Sequence, residues 1–161
     1  MRKKCVLSLV AVIGLAWSGM ASAATTANFE VSATVLANCS IFATAIPFGS
    51  YDPYSASDVT QTGTVTVSCT KSTNADIALS HGANANGSTR RMTDGANFLT
   101  YELYTTAAHD SVWGDNVGTD TVSYSSSGIG DTTLTVYGLL PAGQDVVPGS
   151  YSDTVTATII F

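Results

Sequence analysis

The sequence predicts an all-β chain folded as an antiparallel β-sandwich, and three observations predict it. Apolar and polar residues alternate with period two through most of the chain. Turn-forming pairs, Asp52-Pro53, Asn86-Gly87, Asp94-Gly95, Ser127-Gly128 and Pro148-Gly149, separate those runs. Outside the first 23 residues, no stretch carries a convincing 3.6-residue apolar stripe.

Residues 1–23 read as an export signal. Arg2, Lys3 and Lys4 form a basic start, Val6 to Trp17 an apolar core, and Ala21-Ser22-Ala23 a small-x-small cleavage site. The apolar run is too short to span a bilayer as a stable helix. Cleavage leaves 138 residues, enough for one domain.

The first strand signal is FEVSATVLANC, Phe29 to Cys39. From Ala27 the odd positions run Ala27, Phe29, Val31, Ala33, Val35, Ala37 and Cys39, all on one face. Such a run would extend about 43 Å at 3.3 Å per residue, well past an ordinary strand. The half near Cys39 is therefore expected to belong to the home domain, and the half near Phe29 to lie elsewhere. TVTVSC (64–69) then sets Val65, Val67 and Cys69 against Thr64, Thr66 and Ser68. ADIALS (75–80), FLTYELY (98–104), TVSYS (121–125) and TLTVYGLL (133–140) repeat the pattern with residues that fit a pleated surface. The last signal, SYSDTVTATIIF (150–161), places Tyr151, Val155, Ala157, Ile159 and Phe161 on one face, interrupted by Asp153. Strands of this length and spacing indicate an immunoglobulin-like sandwich. Such a sandwich normally closes with a further strand after a segment like the last. The expectation is an incomplete fold, with a strand too many at the start and one too few at the end, so that each copy repairs the next.

Charge and cysteine usage narrow the function. Once residues 1–23 leave, Lys71, Arg90 and Arg91 stand against twelve carboxylates, a net charge of −9. No nucleic-acid partner is expected of such a surface. Cys39 and Cys69 are then the only cysteines, and in an oxidising compartment they form one disulfide. Closing that loop should remove about 3.5 kcal/mol of unfolded-state entropy.

No catalytic or metal chemistry is expected. His81 and His109, near Ser80, Ser111 and Asp110, lack a G-x-S-x-G and an oxyanion loop. Asp110, Asp115, Asn116 and Asp120 lack the order of a calcium loop and read as solvated turn residues. Trp113 reads as a packing anchor rather than a sugar platform. Arg90-Arg91 is too small a basic pair to imply an anionic partner.

Six motifs carry a resemblance across the mature chain: ANCS (37–40), PFGSYDP (47–53), VTVSCTK (65–71), RRM (90–92), YELYTTAAHDSVWGD (101–115) and VYGLLPAGQDVVPGSYSDTV (136–155). Together and in this order they resemble the spore coat protein U family, which includes pilins of archaic chaperone–usher pili. The resemblance implies an incomplete immunoglobulin-like fold completed by donor-strand exchange. It implies as partners neighbouring subunits, a periplasmic chaperone and an outer-membrane usher, with no cofactor and no small-molecule substrate. The matching donor strand is 24–33, ahead of a sandwich domain at 34–161. Phe29 and Val31 would be its main groove-filling side chains and Ala27 and Ala33 shallower ones, with Val35 beyond. The acceptor groove would lie beside Tyr151, Val155, Ala157, Ile159 and Phe161. The implied function is a structural subunit of extracellular fibres for adhesion and biofilm formation. A coat protein of the same fold and a monomeric secreted binding module are the alternatives.

Overall fold

A computed structural model describes residues 23–161, so the predicted signal lies outside the described residues except for Ala23. The chain divides into two units, one ending at Thr34 and one spanning Val35–Phe161. In the first, residues 23–34 carry no assigned strand or helix and are exposed throughout.

The second unit holds eight strands: β1 (Cys39–Ala43), β2 (Val59–Cys69), β3 (Asn74–Leu79), β4 (Arg90–Thr93), β5 (Phe98–Tyr104), β6 (Val122–Ser125), β7 (Thr132–Leu140) and β8 (Ala157–Ile160). They form a five-stranded sheet ordered β1-β2-β7-β5-β4 and a three-stranded sheet ordered β6-β3-β8. Every strand pair is antiparallel. The architecture is the immunoglobulin-like sandwich that the alternation predicts.

Period-two patterning sets the inner faces. Val65, Val67 and Cys69 of β2 are buried, as are Val136 and Leu140 of β7 and Leu99, Tyr101 and Leu103 of β5. From the other sheet β3 contributes Ile77 and Leu79. Their neighbours Thr64 and Thr66 pair across the outer face with Thr135 and Thr133. Burying a side chain such as Ile77 or Leu140 contributes about 1.5–3 kcal/mol, so this alternation holds the register as well as the fold.

Trp113 lies in the loop after β5 but is only 1 % exposed, and its Nε1–H donates to the Ile77 carbonyl at 2.7 Å. It is a packing anchor, as its setting in the sequence suggests. The Cys39–Cys69 disulfide forms, and the two cysteines are directly opposed at the end of the β1–β2 ladder.

Two strand expectations are corrected. The home-domain strand expected in the half of residues 29–39 near Cys39 lies further on: β1 begins at Cys39 and continues to Ala43. A strand needs a partner to satisfy its main chain, and β2 offers one only from Cys69 back to Val65. Val35 and Leu36, before it, are 86 % and 77 % exposed. At the other end, the strand expected over 150–161 is restricted to Ala157–Ile160, where β3 pairs with it. Residues 151–160 nonetheless alternate half-buried and exposed without a break. Phe161 falls outside that alternation, at 59 % exposed.

Candidate assembly cleft

A cleft of about 980 Å³ enters the sandwich between residues 43–53, from the last residue of β1 onward, and residues 146–157, up to the first residue of β8. Its floor is the core itself: Val65, Leu79, Leu99, Leu103, Val136 and Leu140. Of the residues expected to line an acceptor groove, Tyr151, Val155 and Ala157 border this cleft. Ile159 continues their half-buried face along β8, whereas Phe161 does not.

The two walls are built differently. In the first, Ile46 and Phe48 lie on a glycine floor. A Cβ at Gly63 would stand 2.6 Å from Ile46 Cγ1, and one at Gly138 would stand 2.9 Å from Phe48 Cζ. Phe48 also sets its ring edge-on to Tyr101, centroids 6.1 Å apart. Glycine inside a strand marks a close approach of another segment. Gly63 in the run of threonines and Gly138 in the VYGLL run were the sequence signals that could have found this wall.

In the second wall the main chain is satisfied on one side only. Thr93 and Ser152 exchange both backbone hydrogen bonds, at 2.9 and 3.0 Å. The carbonyls of Thr154 and Thr156 accept from Ala83 and Ser80 at 3.0 and 2.9 Å. The alternate residues Tyr151, Asp153 and Val155 have no main-chain partner among the described residues. An edge of this kind is a template for another strand.

Asp153 is more than an interruption of the apolar face. Its Oδ1 accepts from the Asn84 amide at 3.1 Å and from Asn84 Nδ2 at 2.9 Å, and its Oδ2 accepts from the Tyr101 hydroxyl at 2.7 Å. Burial, then the hydrogen bond and negative charge of Asp153, push the Tyr101 phenol well above its ordinary range. Gly82, at φ +90°, leaves room for the carboxylate, with which a Cβ there would collide.

Sequence reasoning also missed Arg90, which is fully buried. Its guanidinium donates to the carbonyls of Leu79, Ser80 and Trp113 and pairs with the Glu102 carboxylate. Ser80 in turn donates its amide to the Thr156 carbonyl and accepts from the Thr156 amide through Oγ. Arg90 thus braces the wall strand through one intermediate residue. Its neighbour Arg91 lies over the Phe98 ring at 3.9 Å.

The residues weighed for chemistry do not converge. His81 Nδ1 stands 3.6 Å from Asp115, Asp110 accepts from Thr106, and Asp120 accepts from the Asn116 amide and side chain. Among the described residues, no three His, Cys, Asp or Glu side chains gather as a metal site would require.

Fold and cleft together define an immunoglobulin-like sandwich with an unclosed edge. The chain belongs to the Spore Coat Protein U domain family, which matches residues 25–158. It is similar to Protein U of Myxococcus xanthus, at 37 % identity over 177 residues that cover 99 % of this chain and 98 % of that protein. Among solved structures it shares its fold with a chain of the chaperone–tip adhesion subunit pre-assembly complex from archaic chaperone–usher Csu pili of Acinetobacter baumannii. That match has a TM-score of 0.57 at 24 % identity over 80 % of this chain, which spans 40 % of the other chain's length.

Proposed function

We propose that the chain is a structural subunit that polymerises by donor-strand complementation into extracellular surface fibres, serving adhesion and biofilm formation. The observation that carries this reading is the wall at Tyr151, Asp153 and Val155, whose main chain has no partner among the described residues and borders an apolar cleft. A strand added there would satisfy those groups and cover the core at once. The donor would be residues 24–33 of the next copy, with Phe29 and Val31 as principal anchors, Ala27 and Ala33 at shallower positions and Val35 beyond. Phe29, Val31 and Val35 are 86 %, 82 % and 86 % exposed. Burying these three fully would contribute about 5–9 kcal/mol by area, before the entropy of ordering. That is comparable to the whole stability of a small domain.

On this reading residues 1–23 direct export and are removed, and the subunit passes through the periplasm. A chaperone first occupies the cleft there, and an outer-membrane usher exchanges it for the next subunit. The chaperone–subunit complex of the structural neighbour supports the chaperone step. The subunit acts by assembly and carries out no catalysis. A coat protein of the same fold is the second reading, favoured by membership of the Spore Coat Protein U domain family.

Negative-stain microscopy of the mature chain, with and without residues 24–33, tests the proposal. Fibres from the first and isolated folded particles from the second are expected. Identical well-folded monomers from both would overturn it.

A further inference from the structure

We propose that Ala157 and Asp153 fix the register of the incoming strand, with Phe29 of one copy opposite Ala157 of the next and Ala33 opposite Asp153. This deepens the donor-strand reading and rests on it.

The argument starts from parity. Tyr151, Asp153 and Val155 point half-buried into the cleft, and the same residues carry the main-chain groups that have no partner among the described residues. In an antiparallel pair, residues that exchange both main-chain hydrogen bonds stand directly opposite, with side chains on the same face. The odd-numbered residues of the incoming strand, Thr25 to Val35, must therefore oppose the odd-numbered residues of the wall. Every strand pair in this fold is antiparallel, so the incoming strand is set antiparallel too.

Only a few registers keep that parity, and size and charge separate them. With Phe29 opposite Ala157, the largest donor side chain meets the smallest wall residue. Ala27 then meets Ile159, Val31 meets Val155, Val35 meets Tyr151, and Ala33 meets the Asp153 carboxylate. Each bulky residue of one strand faces a small or medium one of the other. The carboxylate, already holding Asn84 and Tyr101, faces a methyl that covers little of it. A shift of two residues in one direction sets Val31 against Asp153 and Phe29 against Val155. A shift in the other direction sets Val35 against Asp153 and Phe29 against Ile159. Both cover a carboxylate with a branched apolar side chain and crowd two large groups together.

The test uses the outward-facing residues, which leave the cleft untouched. In the proposed register Asn28 stands opposite Thr158 in a non-hydrogen-bonded pair, the closer of the two kinds. Both residues are exposed. Fibres are grown from three double variants, Asn28→Cys with Thr158→Cys, with Thr156→Cys and with Ile160→Cys, then oxidised and run on non-reducing denaturing gels. A covalent ladder at least about tenfold stronger for the Thr158 pair is expected, because a two-residue offset of about 6.6 Å exceeds the reach of a disulfide. A dominant ladder from either other pair overturns the register while leaving strand exchange standing. Internal disulfides confined to monomers overturn exchange between copies. No fibres from the unsubstituted chain overturn the underlying reading, and the register with it. A second arm asks for rescue: Ala157→Phe should abolish fibres, and adding Phe29→Ala should restore them. Normal fibres from Ala157→Phe alone would overturn the proposed pairing.

Discussion

The Arg90 guanidinium donates to the Trp113 carbonyl across 2.8 Å, and Trp113 donates through Nε1 to the Ile77 carbonyl at 2.7 Å. Arg90 belongs to β4 of the larger sheet and Ile77 to β3 of the smaller. One buried relay therefore ties the two sheets through a loop. Arg90→Met would leave the carbonyls of Leu79, Ser80 and Trp113 and the Glu102 carboxylate without their cation. Removing one partner of a buried pair costs about 3–5 kcal/mol. The expected result in urea is a lower midpoint at an unchanged slope. A loss below about 1 kcal/mol, the scale of an exposed pair, would show that the relay is not needed for stability.

That relay also marks where the sequence stopped being legible. Strand β5, Phe98–Tyr104, coincides with the FLTYELY run, because its alternation alone decides which side chains are covered. The faces of β2 and the packing role of Trp113 follow from the same kind of local reasoning. Arg90 does not, since its burial depends on the Leu79 and Ser80 carbonyls, the Trp113 carbonyl and the Glu102 carboxylate, three separate segments that only the fold brings together. Asp153 looked like a break in an apolar face for a similar reason: Asn84 and Tyr101 satisfy it from elements far away in sequence. The cleft was legible as a missing strand, but its Ile46–Phe48 wall was not. Gly63 and Gly138 beneath it mark that some segment approaches closely, but only the fold shows that the segment is Ile46 and Phe48.

The Cys39–Cys69 bond closes a loop of 30 residues and joins the end of the β1–β2 ladder. Replacing both cysteines by serine should cost about 3.5 kcal/mol through the unfolded chain. The loss should appear in the urea midpoint and in faster amide exchange at Thr70, which bonds the Asn38 carbonyl beside the bridge. Unchanged stability and exchange would remove the staple from the account of the fold.

Stability should fall at both extremes of pH, with opposite signs of linkage. The Asp94 carboxylate accepts from the Asn97 and Ala96 amides, which lower its pKa from 3.8 to about 2. Its folded value lies below its unfolded value, so its contribution is complete above pH 3.8 and is lost as pH falls through about 2. Asp94→Asn should flatten that acid limb. For Tyr101 the folded value is raised, chiefly by burial, so its contribution is complete below the ordinary phenol value of 10.0 and is lost as pH rises beyond it. Tyr101→Phe should flatten the alkaline limb. An absorbance titration of the parent should show one phenol that ionises only on unfolding. Parallel pH profiles for parent and variants would contradict both assignments.

Phe29→Asp separates assembly from folding. Phe29 is 86 % exposed, so replacing it removes no packed contact of the monomer, and the urea midpoint should move by no more than about 0.5 kcal/mol. In the proposed fibre the same side chain is buried in the cleft of the next copy. There the substitution removes about 1.5–3 kcal/mol of apolar burial and places a carboxylate where only Ala157 and the core surround it. An unpaired charge in such a setting either stays in water or takes up a proton, and both leave the cleft unfilled. Folded subunits that fail to polymerise are therefore expected, measured by sedimentation and microscopy beside the parent chain. Phe29→Leu, which keeps most of the apolar surface, should retain fibres of lower resistance to denaturant. Normal fibres from Phe29→Asp would dismiss Phe29 as the anchor, whereas a variant that no longer folds would show that Phe29 serves its own domain.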